Sequence, residues 1–281
     1  LTVARFVENE FYLVTGTGSR THDSAWILSQ LRPDEKVELK DVTEEFTVLS
    51  LMGPASRKVL TKLTGTALDN ERFPFGTCRQ ISIAGHRLWA LRITYVGELG
   101  WELHLSSKSA KPVYDALLEA GRIHGIANVG YRAIESLRLE KGYRAWGTDI
   151  TPDNTPFEAG LSWAVKLNSG VEFIGREALL SQREVPLTKR LACFSVPDPE
   201  VVLLGRESIF RNDLLVGWLT SGGWGYTVRQ NIGYGYVRNL AGGNNEFLSS
   251  GDYELEVACE RVPCTINLHP LYDPRMRRVR V

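Results

Sequence analysis

"RITYVGELGWELHL", Arg92–Leu105, is the stretch from which the fold can be read outward. Its residues alternate as strand residues do, and successive strand side chains point to opposite faces. Trp101, Leu103 and Leu105 then share one face, and Glu102 and His104 share the other. Read this way, the stretch is a half-buried strand pair that reverses at Gly97 and Gly100, where glycine permits a tight turn and close approach to the backbone. The apolar face needs a covering layer, and the polar face must be either solvated or the wall of a site.

The flanking sequence supplies that layer. Upstream, "CRQISIAGHRLWALRITY" is a hairpin turning at Ala84-Gly85. Before it, "EFTVLSLMGP" is a strand, and Gly53-Pro54 opens the helix "ASRKVLTKLTG", with Pro at its favoured early position. "LTVARFV-ENE-FYLVTG" reads as two strands around a polar turn, and "SRTHDSAWILSQL" as a short helix capped by Ser19 or Thr21. Downstream, "SAKPVYDALLEAGRIHG" is a helix. "GYRAIESLRLEKG" is another, with Ile134, Leu137 and Lys141 on one side. From about Leu191 the texture changes to short strands separated by Gly, Asn and Asp turns, the pattern of a small all-β barrel or sandwich. "SQREVPLTK" between the halves has no apolar periodicity and reads as a linker. The expected fold class is α+β followed by a small all-β barrel, with boundaries at 1–180 and 188–281.

Bulk properties narrow the function classes. With 33 Lys+Arg against 33 Asp+Glu, the formal charge is zero, so the chain lacks the basic footprint of a general nucleic-acid or membrane-surface binder. The one basic run, "RMRRVRV" at residues 275–281, reads as a solvated tail. Cys78, Cys193, Cys259 and Cys264 form no CxxC, and the five His show no HxH or HExxH spacing, so a metal site is not expected. The thiols are expected to be reduced and inert. No apolar run approaches the ~18–20 residues of a membrane span, and no signal peptide is visible. The start "LTVARFV", without Met, reads as a piece of a longer polypeptide.

Few residues invite chemistry. A carboxylate such as Glu102 suits a planar pair of N–H donors, because two parallel charge-assisted bonds are strong and directional. Pterin, guanine and guanidinium groups all present such a pair, although alternation alone favours a solvated Glu102. Arg132 and Glu135 are helix neighbours and read as an ion pair worth a few tenths of a kcal/mol. Yet a cation at a helix start is disfavoured by the macrodipole, so an external anion is the other account of Arg132. Asp149, Asp153 and Glu158 fit turn and capping roles and lack EF-hand spacing. "VTGTGSR" and "TSGGWGYT" match neither GxxxxGK[ST] nor GxGxxG, and no GxSxG elbow is present.

Five ordered motifs carry a resemblance: "LMGPASRKVL", "ITYVGELGWELHL", "GYRAIESLRLEKGYRAWGTDITPDNTPFEAGLSWAVKL", "FIGREAL" and "TSGGWGYTVRQNIGYGYV". Together they resemble the folate-binding aminomethyltransferases. That family includes the T-protein of the glycine cleavage system and the C-terminal half of dimethylglycine and sarcosine dehydrogenases. "VTGTGSRTHDSAWI" and "HPLYDPRMRRVRV" are more similar to the flavin-dependent dehydrogenase branch than to the T-protein. The resemblance implies two α+β lobes and a barrel around bound tetrahydrofolate, with the pterin held by Tyr95 and Glu102. It places Arg132 at the folate's benzoyl or anionic portion, and Thr2 and Thr15 also at the cofactor, although the T-protein has Asn near Thr15-Gly16. The family's "GG-I-x-x-D-L-T-V" segment is matched only from Leu1, so its Asp is expected before Leu1, with no catalytic residue in the fragment and little turnover. Implied partners are an iminium derived from an N-methyl amine and an FAD-bearing domain in a preceding part of the chain. The implied location is the cytoplasm in a bacterium or the mitochondrial matrix in a eukaryote. The alternative is a non-catalytic binding protein on the same fold, similar to the pyruvate dehydrogenase phosphatase regulatory subunit.

Overall fold

The computed structural model describes all residues, 1–281, and its contacts divide the chain into two compact units. The first comprises Leu1–Thr94, Glu98–Asn128 and Arg277–Val281; the second comprises Tyr95–Gly97 and Val129–Met276.

In the first unit, strands β1 (Thr2–Val7) and β2 (Glu10–Val14) form an antiparallel two-stranded sheet, followed by helix α1 (Arg20–Ser29), whose N-cap is Ser19. A second sheet contains β3 (Phe46–Met52), β4 (Cys78–Ile83), β5 (His86–Leu91) and β6 (Gly100–Ser106). Its strand order is β3-β6-β5-β4, all antiparallel. The β4–β5 turn falls at Ala84-Gly85 as expected, with φ of 50° and 81°, the left-handed pair that matches strand twist. Helices α2 (Ser56–Thr61) and α3 (Ala110–Gly121) cover one face of this sheet. Trp101, Leu103 and Leu105 of β6 join Ile81, Ile83, Val59, Leu60 and Val113 in its core. Burying one such side chain contributes roughly 1.5–3 kcal/mol, which fixes the register of β6.

Two expectations for this unit need correction. Arg92–Leu105 is not a strand pair: β5 ends at Leu91, and residues 92–99 form a connection before β6 begins. Arg92 opens this connection with its side chain turned inward: it is 1% exposed and donates to the Phe73 carbonyl (2.5 Å) and the Val281 main-chain oxygen (2.7 Å). The basic run is a solvated tail only in part: Arg275, Arg277, Arg278 and Arg280 are exposed, whereas Val279 is buried and the Val281 main-chain oxygen accepts from Arg57 at 2.6 Å.

In the second unit, helix α4 (Tyr131–Lys141) ends at Gly142, whose φ of 71° is the left-handed C-cap conformation. Helix α5 (Arg176–Arg183) absorbs the first three residues of the expected linker. Strands β7 (Lys189–Val196), β8 (Ser208–Arg211), β9 (Leu214–Gly225), β10 (Gln230–Arg238), β11 (Tyr253–Val257) and β12 (Glu260–Asn267) close into a six-stranded barrel. Around the barrel the order is β10-β7-β12-β11-β8-β9, so the barrel rather than the sandwich is realised. The short helix α6 (Asn245–Ser249) lies between β10 and β11 in the chain, and its Leu248 is buried in the barrel core with Phe194, Ile209, Leu219 and Leu255. The glycines of "TSGGWGYT" serve packing: a Cβ on Gly222 would lie 2.9 Å from the Gly205 nitrogen. The architecture is thus α+β with a closed all-β barrel, as expected. No helix is long and apolar enough to cross a membrane.

Candidate functional site

Glu102 lies on β6, an interior strand of the four-stranded sheet, opposite Ser50 of β3 and Leu91 of β5. Its face is not the solvated one that alternation favoured. The β1–β2 hairpin covers this face: Phe6 stacks on Trp89 with ring centroids 3.9 Å apart and planes 8° apart. Tyr12 meets His104 edge-on at 5.4 Å. His104 is completely buried, and the Glu102 side chain is 22% exposed. The His104 Nε2 stands 3.3 Å from Glu102 Oε2, and the Tyr12 hydroxyl stands 3.2 Å from Nδ1. Burial, and behind it the charge of Glu102, raise the Tyr12 pKa above that of a free phenol. The result is a half-accessible carboxylate held from behind on one oxygen. A group in that state can accept from a planar donor pair without first shedding a full hydration shell.

Thr2, half-buried on β1, pairs with Val14 of β2. Thr15 follows β2, is exposed, and donates its hydroxyl to Asp23, a bond that leads the causes lowering the Asp23 pKa.

In the second unit Tyr95 is 38% exposed. Its ring stacks on Tyr143 at 5.9 Å and 11°, and its hydroxyl donates to the Arg144 carbonyl at 3.3 Å. Partial burial raises its pKa. The shelf beneath it is pinned in turn. Arg138, 1% exposed, donates to the Tyr143 carbonyl at 3.1 Å and to Asp149 Oδ2 at 2.5 Å. Asp149 Oδ1 accepts from Thr220 (2.6 Å) and Ser221 (2.7 Å), and Oδ2 accepts also from the Ala145 N–H at 3.0 Å. Asp149 does lie in a turn, as expected, but its side chain is also the centre of a buried polar network. Such an ion is tolerated only because its lone pairs are satisfied. Asp153 is exposed, whereas Glu158 keeps its capping role by accepting from the Thr155 N–H at 2.8 Å.

The Arg132–Glu135 pair does not form. Glu135 instead pairs with Arg138, three residues on, because Arg138 points inward and needs the charge. Arg132 is left exposed in the first turn of α4 without a hydrogen-bond or ion-pair partner. No group of three or more His, Cys, Asp or Glu side chains is placed to hold a metal ion.

Sequence reasoning singled out Tyr95, Glu102 and Arg132 but missed Tyr12, Tyr143 and Arg138. The Glu102-x-His104 spacing was visible; the partner 92 residues away on β2 was not.

The chain matches the family described as "GCVT N-terminal domain" over residues 1–169 and "Glycine cleavage T-protein C-terminal barrel domain" over residues 189–273. Mitochondrial sarcosine dehydrogenase of Mus musculus is 42% identical over 281 residues, covering 99% of this chain and 30% of that protein. Mitochondrial dimethylglycine dehydrogenase of Homo sapiens is 40% identical over 238 residues, covering 84% and 28%. The mitochondrial pyruvate dehydrogenase phosphatase regulatory subunit of Mus musculus is 33% identical, covering 96% and 32%. The chain thus spans 28–32% of the length of these relatives. The crystal structure of glycine cleavage system aminomethyltransferase T from Bartonella henselae matches with a TM-score of 0.79 and 26% identity, over 97% of this chain and 72% of that one.

Proposed function

The chain belongs to the glycine cleavage T-protein family, as an aminomethyltransferase-type module related to sarcosine and dimethylglycine dehydrogenases, and from that membership we propose that it binds tetrahydrofolate for one-carbon transfer. The observation that carries the reading is Glu102, a carboxylate with Oε2 held by His104 and no protein donor on Oε1. That state fits the adjacent N–H donors of a pterin, and two such charge-assisted bonds set both affinity and orientation. Tyr95, whose ring is fixed by Tyr143 and Arg144 within the second unit, is a further cofactor-contact candidate carried over from the family resemblance. Arg132, free of protein partners, is the cation for the folate's anionic tail, and Thr2 and Thr15 add polar contacts. All five lie within residues 1–180, the proposed folate-binding portion, with 188–281 as the barrel.

When bound, tetrahydrofolate supplies two amine nitrogens that take the methylene of an iminium, yielding 5,10-methylenetetrahydrofolate with release of the parent amine and a proton. Glu102 contributes orientation: a fixed carboxylate removes rotational freedom before the reactants meet. In the whole protein, an FAD-bearing domain would oxidise an N-methyl amine to that iminium. A mitochondrial matrix location in a eukaryote agrees with the mitochondrial relatives.

Calorimetric titration of tetrahydrofolate under anaerobic conditions tests the reading. Saturable 1:1 binding is expected, weakened about ten- to hundredfold by Glu102→Gln, since a hydrogen bond to a charged group contributes roughly 1.5–3 kcal/mol. No binding by the wild type would sink the folate reading. Binding without methylene transfer from an iminium donor would leave a binding module rather than an enzyme.

A further inference from the structure

Glu102 does not stand alone. His104, two residues along β6, is completely buried and uses both ring nitrogens, one toward Glu102 Oε2 at 3.3 Å and one toward the Tyr12 hydroxyl at 3.2 Å. An ionised carboxylate can only accept, so the Nε2 facing it must carry a proton. A neutral ring then has a bare Nδ1, which must accept from the Tyr12 O–H. The raised pKa of Tyr12 keeps that phenol protonated and able to donate. With the ring neutral, the chain of bonds runs from Tyr12 through His104 to Glu102. Each member is held by its own packing: Tyr12 against Phe46 at 5.4 Å, and His104 opposite Val48 and Trp89 in the sheet.

Deepening the folate reading on which it rests, we propose that His104 and Tyr12 are positioning residues for Glu102. Glu102 sets the Nε2–H tautomer of His104, the Tyr12 hydroxyl supports it by donating to Nδ1, and the Nε2–H fixes the rotamer in which Glu102 presents its free Oε1 to the pterin donors. A glutamate has three side-chain torsions to lose on binding. Holding one oxygen beforehand means that ordering loss is met during folding instead of at the binding step. A hydrophobic residue at position 104 would pack but leave the carboxylate to rotate. A glutamine would keep an acceptor for Tyr12 and a donor for Glu102.

Three variants separate these roles: His104→Leu, His104→Gln and Tyr12→Phe, each confirmed as folded by its melting curve. The readouts are the tetrahydrofolate dissociation constant and the imidazole ¹⁵N shifts of His104. The wild type should show a bare Nδ1 and a protonated Nε2. His104→Leu should weaken binding by about three- to tenfold, the worth of one side chain's ordering, and His104→Gln should recover most of it. Tyr12→Phe, which deletes one oxygen, should shift the tautomer balance and weaken binding less. Wild-type affinity in His104→Leu, or a folded His104→Gln as weak as the leucine variant, overturns the positioning role and leaves the folate site standing. If His104→Leu fails to fold, Tyr12→Phe decides, and an unchanged tautomer and affinity overturn the proposal. A wild type that does not bind tetrahydrofolate overturns both readings.

Discussion

Asp149→Ala should be among the most costly single substitutions in the second unit. Asp149 is 1% exposed, and its two oxygens accept from Arg138, the Ala145 N–H, Thr220 and Ser221. Truncation removes all four bonds. Thr220 retains the Tyr234 carbonyl as a partner at 3.0 Å, and Arg138 retains Glu135 and the Tyr143 carbonyl. The guanidinium, however, loses the fully buried half of its countercharge, because the Glu135 side chain is 37% exposed while that of Asp149 is 1% exposed. Removing one partner of a buried pair costs about 3–5 kcal/mol. The orphaned hydroxyl of Ser221 and N–H of Ala145 add to this, though not in full, because neighbouring losses are not additive. A loss of at least ~3 kcal/mol is expected. Urea titration followed by far-UV circular dichroism at pH 7 measures it, with an unchanged m value confirming that the unfolded state is the same. The double variant Arg138→Leu/Asp149→Leu should lose less than the sum of its single changes, because no uncompensated charge remains. A loss below ~1 kcal/mol for Asp149→Ala would refute the claim that this ion is the keystone of its unit.

Three further outcomes follow from packing and burial. Gly217→Ala should destabilise the barrel by roughly 1–3 kcal/mol, since the new Cβ would overlap the Tyr236 carbonyl oxygen on the paired strand; a wild-type melting temperature would count against this barrel geometry. Of the four thiols, exposed Cys259 should react first with a thiol reagent at pH 8, whereas burial pushes Cys78 to about 11 and Cys193 and Cys264 to about 12. Raised thiol values stabilise the folded state fully below pH 9, the unfolded value, and that contribution is lost as pH rises toward 12. Melting temperature should therefore hold to pH 9 and fall above it, less steeply in Cys193→Val.

Much of the fold was legible because it depends on short-range pattern. Period-two alternation identified the core face of β6, and the Ala84-Gly85 turn and the C-cap at Gly142 fell where local backbone preferences put them. What stayed hidden depends on contacts distant in sequence. Asp149 sits among turn-forming residues, yet its hydroxyl partners are 71 and 72 residues away, so its sequence neighbourhood misrepresents its burial. The helix rule for Arg132 and Glu135 has an equally good competitor in Arg138, and only burial chooses between them. The residues 275–281 look solvated by charge, but Val279 and the Val281 main-chain oxygen anchor them. For the candidate site, the carboxylate and aromatic were visible as a motif, while the Tyr12–His104 support was not.

The central claim is that Glu102 reads the donor pair of a pterin. A ligand cycle tests it most directly: tetrahydrofolate and its 2-desamino analogue, each titrated against the wild type and Glu102→Gln. The analogue lacks the exocyclic N–H donors, so the wild type should prefer tetrahydrofolate by about tenfold or more, from one lost charge-assisted bond of roughly 1.5–3 kcal/mol. Glu102→Gln should bind both with nearly equal weakness. A preference that survives intact in Glu102→Gln would contradict the account, because some other group would then be reading those donors.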